Sequence, residues 1–265
     1  MKQKMNAVLT GQVREIAAWF QGSIGKQVIQ TETAIMDELL EEMFGYHMLQ
    51  LSIQQADLYT RSPIQHCMKS SLFEVAGSDL TAYPDALPFE SDCIDVLISH
   101  HLLDFSNRPQ ELLREFSRVV LPGGRLILLG FNPYSLWGVT RSLMSWRHRA
   151  PWNSHFLAPE RLMDWLNDLN FRIDRTIYSE YGLPLIGRHR RHPDYSLGLS
   201  RRYNFPFGAV SIIVARKQVE TMTPLKPKWF QRREFSNLSL VKPVARVHPA
   251  RIHLKQRTAM PDNGL

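Results

Sequence analysis

Residues 85–105 read DALPFESDCIDVLISHHLLDF. The aliphatic run from Ile94 to Ile98 has the length and composition of a buried strand. It ends in Ser99, His100 and His101, with Asp104 three residues further on. A core strand that leaves the interior through polar groups marks a rim where chemistry is to be sought. Downstream, SNRPQELLREFSRVV predicts a helix that Ser106 or Asn107 caps, with Pro109 in its first turn and apolar positions 112, 113, 116, 119 and 120 on one side. Pro122, Gly123 and Gly124 stop it, and RLILLGF, 125–131, is the next strand.

Outward from this centre the same alternation continues. APERLMDWLNDLN predicts a helix with Leu162, Trp165, Leu166 and Leu169 facing inward, then FRIDRTIY a strand, and AVSIIVAR, 209–216, a last strand. On the N-terminal side YHMLQLS, 46–52, and PIQHCMK, 63–69, are strand candidates, with no clear helix between them. Residues 10–44 read as two helices, the second carrying Ile35, Leu39, Leu40 and Met43 opposite Glu38, Glu41 and Glu42. Strands alternating with helices imply a mostly parallel sheet covered on both faces. In such a sheet ligands lie outside the carboxyl ends of the strands, where Ser99, His100, His101 and Asp104 fall.

Composition limits the possible functions. The 265 residues, 44% of them apolar, suffice for one sizeable core. Cys67 and Cys93 provide neither a disulfide framework nor a thiolate zinc site, and with no signal-peptide pattern and no apolar run of about 20 residues the expected location is the cytoplasm. The net charge of +7 sits in the tail: residues 216–265 hold eleven Lys or Arg and three acids, which leaves the rest near neutral. Five prolines and no sustained period make 218–265 a basic, largely disordered tail. Adjacent strand residues point to opposite faces, so His100 and His101 are not expected to chelate one ion, and no metal is expected.

The pieces LPFESDCIDVLISHHLLDF and ELLREFSRVVLPGGRLILLGFNP, in that order, resemble the class I S-adenosylmethionine-dependent methyltransferases, in the methyltransferase type 11 branch. FGYHMLQLS, GFNPYSLWG and IIVARK are most similar to the YafS-like bacterial proteins of that branch. The resemblance covers about residues 45–217. It implies a Rossmann-like α/β fold, mostly parallel with an antiparallel last strand and helices on both faces. Residues 1–44 are then an added helical extension. It also implies S-adenosyl-L-methionine as cofactor, with contacts from Gln50, Ser52, Tyr83, Ala86, Leu87, Ser99 and His100. His101 and Asp104 become the catalytic candidates, and Asn132 and Tyr134 line the acceptor side.

Against the family's pattern, Gln50 replaces the usual strand-end acid, Ser52 and Gln54 replace the glycines of the cofactor turn, and Tyr83 replaces an aspartate. Glu74 is the nearest carboxylate to the end of the second strand. A nicotinamide dehydrogenase is disfavoured because G-x-G-x-x-G is also absent. The acceptor is a small molecule or RNA: RSLMSWRHR, RHRRH, Arg201, Arg202 and the tail could track phosphate, with Trp146 and Trp152 as stacking groups, although no sequence-specific DNA motif occurs. The alternative function is a non-catalytic protein of this fold that binds RNA or a protein partner through those basic segments.

Overall fold

The computed structural model describes residues 14–54, 56–71, 79–144, 155–182 and 202–219. Helices α1, residues 14–20, and α2, Ser23–Glu41, precede strands β1, His47–Ser52, β2, His66–Ser71, β3, Leu80–Thr81, and β4, Ile94–His100. A short 3-10 turn, Leu103–Phe105, leads to α3, Pro109–Val119, β5, Val120–Phe131, and α4, Leu136–Met144. Helix α5, Pro159–Asp168, β6, Phe171–Ser179, and β7, Val210–Lys217, complete the order.

The seven strands lie in the order β3-β2-β1-β4-β5-β7-β6, all parallel except β7, which runs antiparallel to both neighbours. This is the expected α/β sheet with its reversed last strand. Strands β4 and β5 are buried continuously from Val96 to His100 and from Leu126 to Phe131, as strands covered on both faces must be. Chain order changes direction between β1 and β4. At this topological switch point, where open α/β sheets bind their ligands, Ser52 stands opposite His100.

Three local features differ from the sequence reading. Pro122-Gly123-Gly124 does not separate α3 from a strand that begins at Arg125. Strand β5 begins already at Val120 opposite Ile94, and Arg125 is opposite Val96, so the intervening residues form a bulge. Gly123 has φ 87°, which only glycine takes cheaply. The short β3 and helix α4 were not foreseen. Helices α1 and α2 are more than an appendage, because Phe20, Val28, Ile35, Met36 and Leu40 are buried in the same core as the strands.

Among the described residues no helix is long and apolar enough to cross a membrane. The tail beyond Val219, Glu74, Trp146, Trp152, Arg201 and the segment RHRRH lie outside the described residues.

Candidate functional site at the carboxyl rim

Helix α2 presents Val28, Ile35, Met36 and Leu39 to the core, and Glu32 sits on that same buried stripe. Its carboxylate meets the end of β4. Oε2 lies 2.9 Å from His100 Nε2, and Oε1 lies 2.8 Å from His101 Nε2. The far nitrogens are held as well: His100 Nδ1 is 3.1 Å from Ser52 Oγ, and His101 Nδ1 is 2.9 Å from Asp104 Oδ2. Asp104 Oδ2 also accepts the Phe131 backbone N–H at 2.9 Å. Phe20 covers both imidazoles, its ring centroid 5.4 Å from each, and Phe131 tilts against His101 at 4.2 Å.

The convergence of two neighbouring histidines corrects the expectation from strand alternation. His101 has φ 55° and so leaves the extended conformation, which swings its ring to the side that His100 occupies. A non-glycine residue in this region costs about 1–2 kcal/mol, which the contacts of the cluster offset.

Electrostatics follow from complete enclosure, since Glu32, His100 and His101 are 0% exposed and Asp104 1%. Burial alone pushes the Glu32 carboxyl up, but the two imidazoles outweigh it and hold it at about 2. Burial pushes His101 down, yet Glu32 and Asp104 on its two sides raise it to about 9. For His100 burial dominates Glu32, and the ring is lowered. Burial raises Asp104, against the pull of His101. One proton arrangement satisfies every contact. His101 is an imidazolium donating to both carboxylates, and neutral His100 donates from Nε2 to Glu32 and accepts the Ser52 hydroxyl at Nδ1.

The residues expected to hold the cofactor divide into two groups. Gln50 is fully buried, donates from Nε2 to the Ala56 carbonyl and accepts the Leu58 N–H, so it ties down the segment after β1. Ser52 is 2% exposed and engaged with His100 and with the Gln54 N–H. Ser99 is 1% exposed, and its Oγ has no hydrogen-bond partner among the described residues. Leu87 is buried, and its N–H donates to Glu115 Oε1. Tyr83, by contrast, is 62% exposed and forms an isolated bridge with exposed Ala86 beyond β3.

The methionine half of S-adenosylmethionine therefore does not fit the β1–β4 part of the rim as it stands. Neither Ser52 nor Gln54 takes a positive φ, and the polar groups that would receive it are bonded to one another. On the other side of the rim Tyr83 and Ala86 remain exposed.

On the acceptor side Tyr134 is exposed, but Asn132 is fully buried. Its Nδ2 donates to the carbonyls of Pro206 and Gly208, and its Oδ1 accepts the Tyr134 N–H, so it clamps the loop before β7. His101 and Asp104 are likewise enclosed, so their side chains do not face an acceptor as expected. Glu32 was missed in the sequence. The available signal was a lone carboxylate on the apolar face of a helix, between Val28 and Met36.

The LPF and RE-x-x-RV motifs have a structural explanation of their own. Arg118 donates to the Leu87 and Phe89 carbonyls and to both oxygens of Glu115, and Glu115 in turn holds the Leu87 N–H. Helix α3 thereby fixes the loop that carries Tyr83 and Ala86 into β4.

Comparison with known proteins agrees with this architecture. The family model for a methyltransferase domain matches residues 36–128. The uncharacterized protein YafS of Escherichia coli is 28% identical over 198 residues, 70% of this chain and 75% of that protein. An S-adenosylmethionine-dependent methyltransferase of Thermotoga maritima, a possible histamine N-methyltransferase, has a similar fold, with TM-score 0.59 and 17% identity over 78% of this chain and 96% of the other. A second such enzyme, from Archaeoglobus fulgidus, has TM-score 0.51 and 15% identity over 70% and 92% of the two chains. With its switch point between β1 and β4 and its reversed β7, the chain has the fold of these methyltransferases, and its residues 36–128 match the methyltransferase-domain model.

Proposed function

We propose that the chain is an S-adenosylmethionine-dependent methyltransferase whose cofactor turn has lost its glycines, acting on a small-molecule or RNA acceptor in the cytoplasm. The observation that carries the reading is the switch point itself, where β1 and β4 end side by side at Ser52 and His100 within a matched methyltransferase domain. The adenosine is assigned to the side of Tyr83, Ala86 and Leu87, and the backbone of Ser99 and His100 borders it. Tyr134, exposed and held through its N–H by Asn132, borders the acceptor. The cysteines Cys67 and Cys93 are free thiols, which suits a reducing compartment.

Calorimetry of the full chain with S-adenosylmethionine and S-adenosylhomocysteine tests the reading. Saturable one-site binding of both is expected, weakened by Tyr83→Ala. A second reading is favoured by one observation, the engagement of Gln50, Ser52 and His100 within the chain. On that reading the fold is non-catalytic, and neither ligand produces heat at any attainable concentration.

A further inference from the structure

We propose that Glu32, His100 and His101 are the ligands of a divalent transition-metal ion, with zinc best suited, that pins helix α2 to the carboxyl rim of the sheet. The three residues offer donor atoms that all lie within 4.8 Å of one another. Two of the separations are 2.9 and 2.8 Å, from Glu32 Oε2 to His100 Nε2 and from Glu32 Oε1 to His101 Nε2. Ligand atoms around a tetrahedral zinc, at bonds of about 2.0–2.1 Å, lie roughly 3.3 Å apart. An outward shift of about half an ångström at each contact therefore makes room. Two imidazoles and a carboxylate form a donor set that zinc accepts readily, and the second oxygen of Glu32 or a water completes four-coordination.

Three independent features point the same way. Both rings turn Nε2 toward the common centre while Nδ1 is anchored outside it, His101 to Asp104 and His100 to Ser52. Metal-bound histidines are oriented by such outer partners. The second feature is the backbone of His101, held at φ 55° in a conformation whose effect is to bring adjacent rings to one point. The third is enclosure: Glu32, His100 and His101 are all fully buried, so the donor atoms are shielded from competing water. Binding of the ion displaces the proton from each Nε2 and leaves the imidazoles as neutral ligands.

Glu32 lies outside the matched residues 36–128, so the ion would tie a feature of this chain's own N-terminal helix to the domain. The inference is independent of cofactor binding.

The test uses the full, tag-free chain, stripped with chelator, reloaded with zinc, desalted and analysed for metal. His47 and His66, whose Nδ1 atoms are 2.8 Å apart at an exposed site, could retain zinc themselves, so the measurement is made in the His47→Ala, His66→Ala background. One ion per chain is expected. The melting temperature should rise with the logarithm of free zinc, and cobalt in its place should give the visible spectrum of a four-coordinate nitrogen and oxygen site. Glu32→Gln and His100→Gln should abolish retention. No ion retained and no melting shift in that background would overturn the proposal and leave a hydrogen-bonded cluster. So would an undiminished ion in a Glu32→Gln chain that keeps its circular dichroism. Should the substitutions prevent folding, the stoichiometry and the cobalt spectrum of the background chain decide.

Discussion

Two charged assemblies anchor loops to this sheet, and they work in opposite environments. Arg118 and Glu115 hold the Leu87–Phe89 segment at the surface, with the Arg118 side chain 36% exposed. Glu32, His100, His101 and Asp104 hold helix α2 and the end of β4 with no exposure at all beyond Asp104's 2%. At the surface, water screens the ion pair, and much of its worth lies in hydrogen bonds to carbonyls. In the interior each charge depends on its partners, so removing one leaves the others stranded. Similar residue types thus give a forgiving clamp in one place and an all-or-nothing knot in the other.

Substitutions that break this contrast are ordered by expected effect. Glu32→Ala leaves a buried imidazolium beside Asp104 and should destabilise the chain by about 3–5 kcal/mol in urea unfolding. A loss no larger than that of a surface residue would remove the distinction.

A pH series on chelator-treated protein sharpens it next. Glu32, at about 2 against an ordinary 4.5, contributes stability that is complete above pH 4.5 and lost as pH falls toward 2. His101, raised to about 9 from 6.5, contributes stability that is complete below pH 6.5 and lost as pH rises through 9. Because the lowered His100 also costs stability as pH falls below 6.5, the melting temperature should peak near pH 6.5, and Glu32→Ala should flatten the alkaline limb.

Arg118→Ala should cost less, about 1–2 kcal/mol, because the released carbonyls can meet water. It should also loosen hydrogen-exchange protection at Leu87, whose N–H donates to Glu115. The smallest stability effect belongs to Tyr83→Ala, within about 0.5 kcal/mol for so exposed a side chain. Its effect should appear instead as weaker S-adenosylhomocysteine binding.

Most of the fold was legible in the sequence because each element carried its own period. The runs Ile94–Ile98, Leu126–Leu129 and Ile212–Ala215 read as buried strands, and α3 and α5 showed one apolar face each. Strand β3, only Leu80–Thr81, was too short to show a period, and α4 was obscured by the basic residues that follow it. The Pro-Gly-Gly stop was misplaced because a bulge and a strand boundary use the same residues. The site was legible only in outline. His100, His101 and Asp104 were noticed, but their orientation was argued from ideal strand geometry, which the positive φ of His101 breaks.

What the sequence settled by itself was the alternation of strands and helices and the place where polarity emerges from the core, while the reversed last strand was implied by the family resemblance. The first two depend on local hydrophobic periodicity, which neighbouring residues encode together. Only the tertiary structure brought Glu32, 68 residues before His100, into contact with both imidazoles and enclosed all four ionisable side chains among aromatic rings. A meeting of groups so distant along the chain leaves no periodic trace, because it is set by how α2 packs across the end of the sheet.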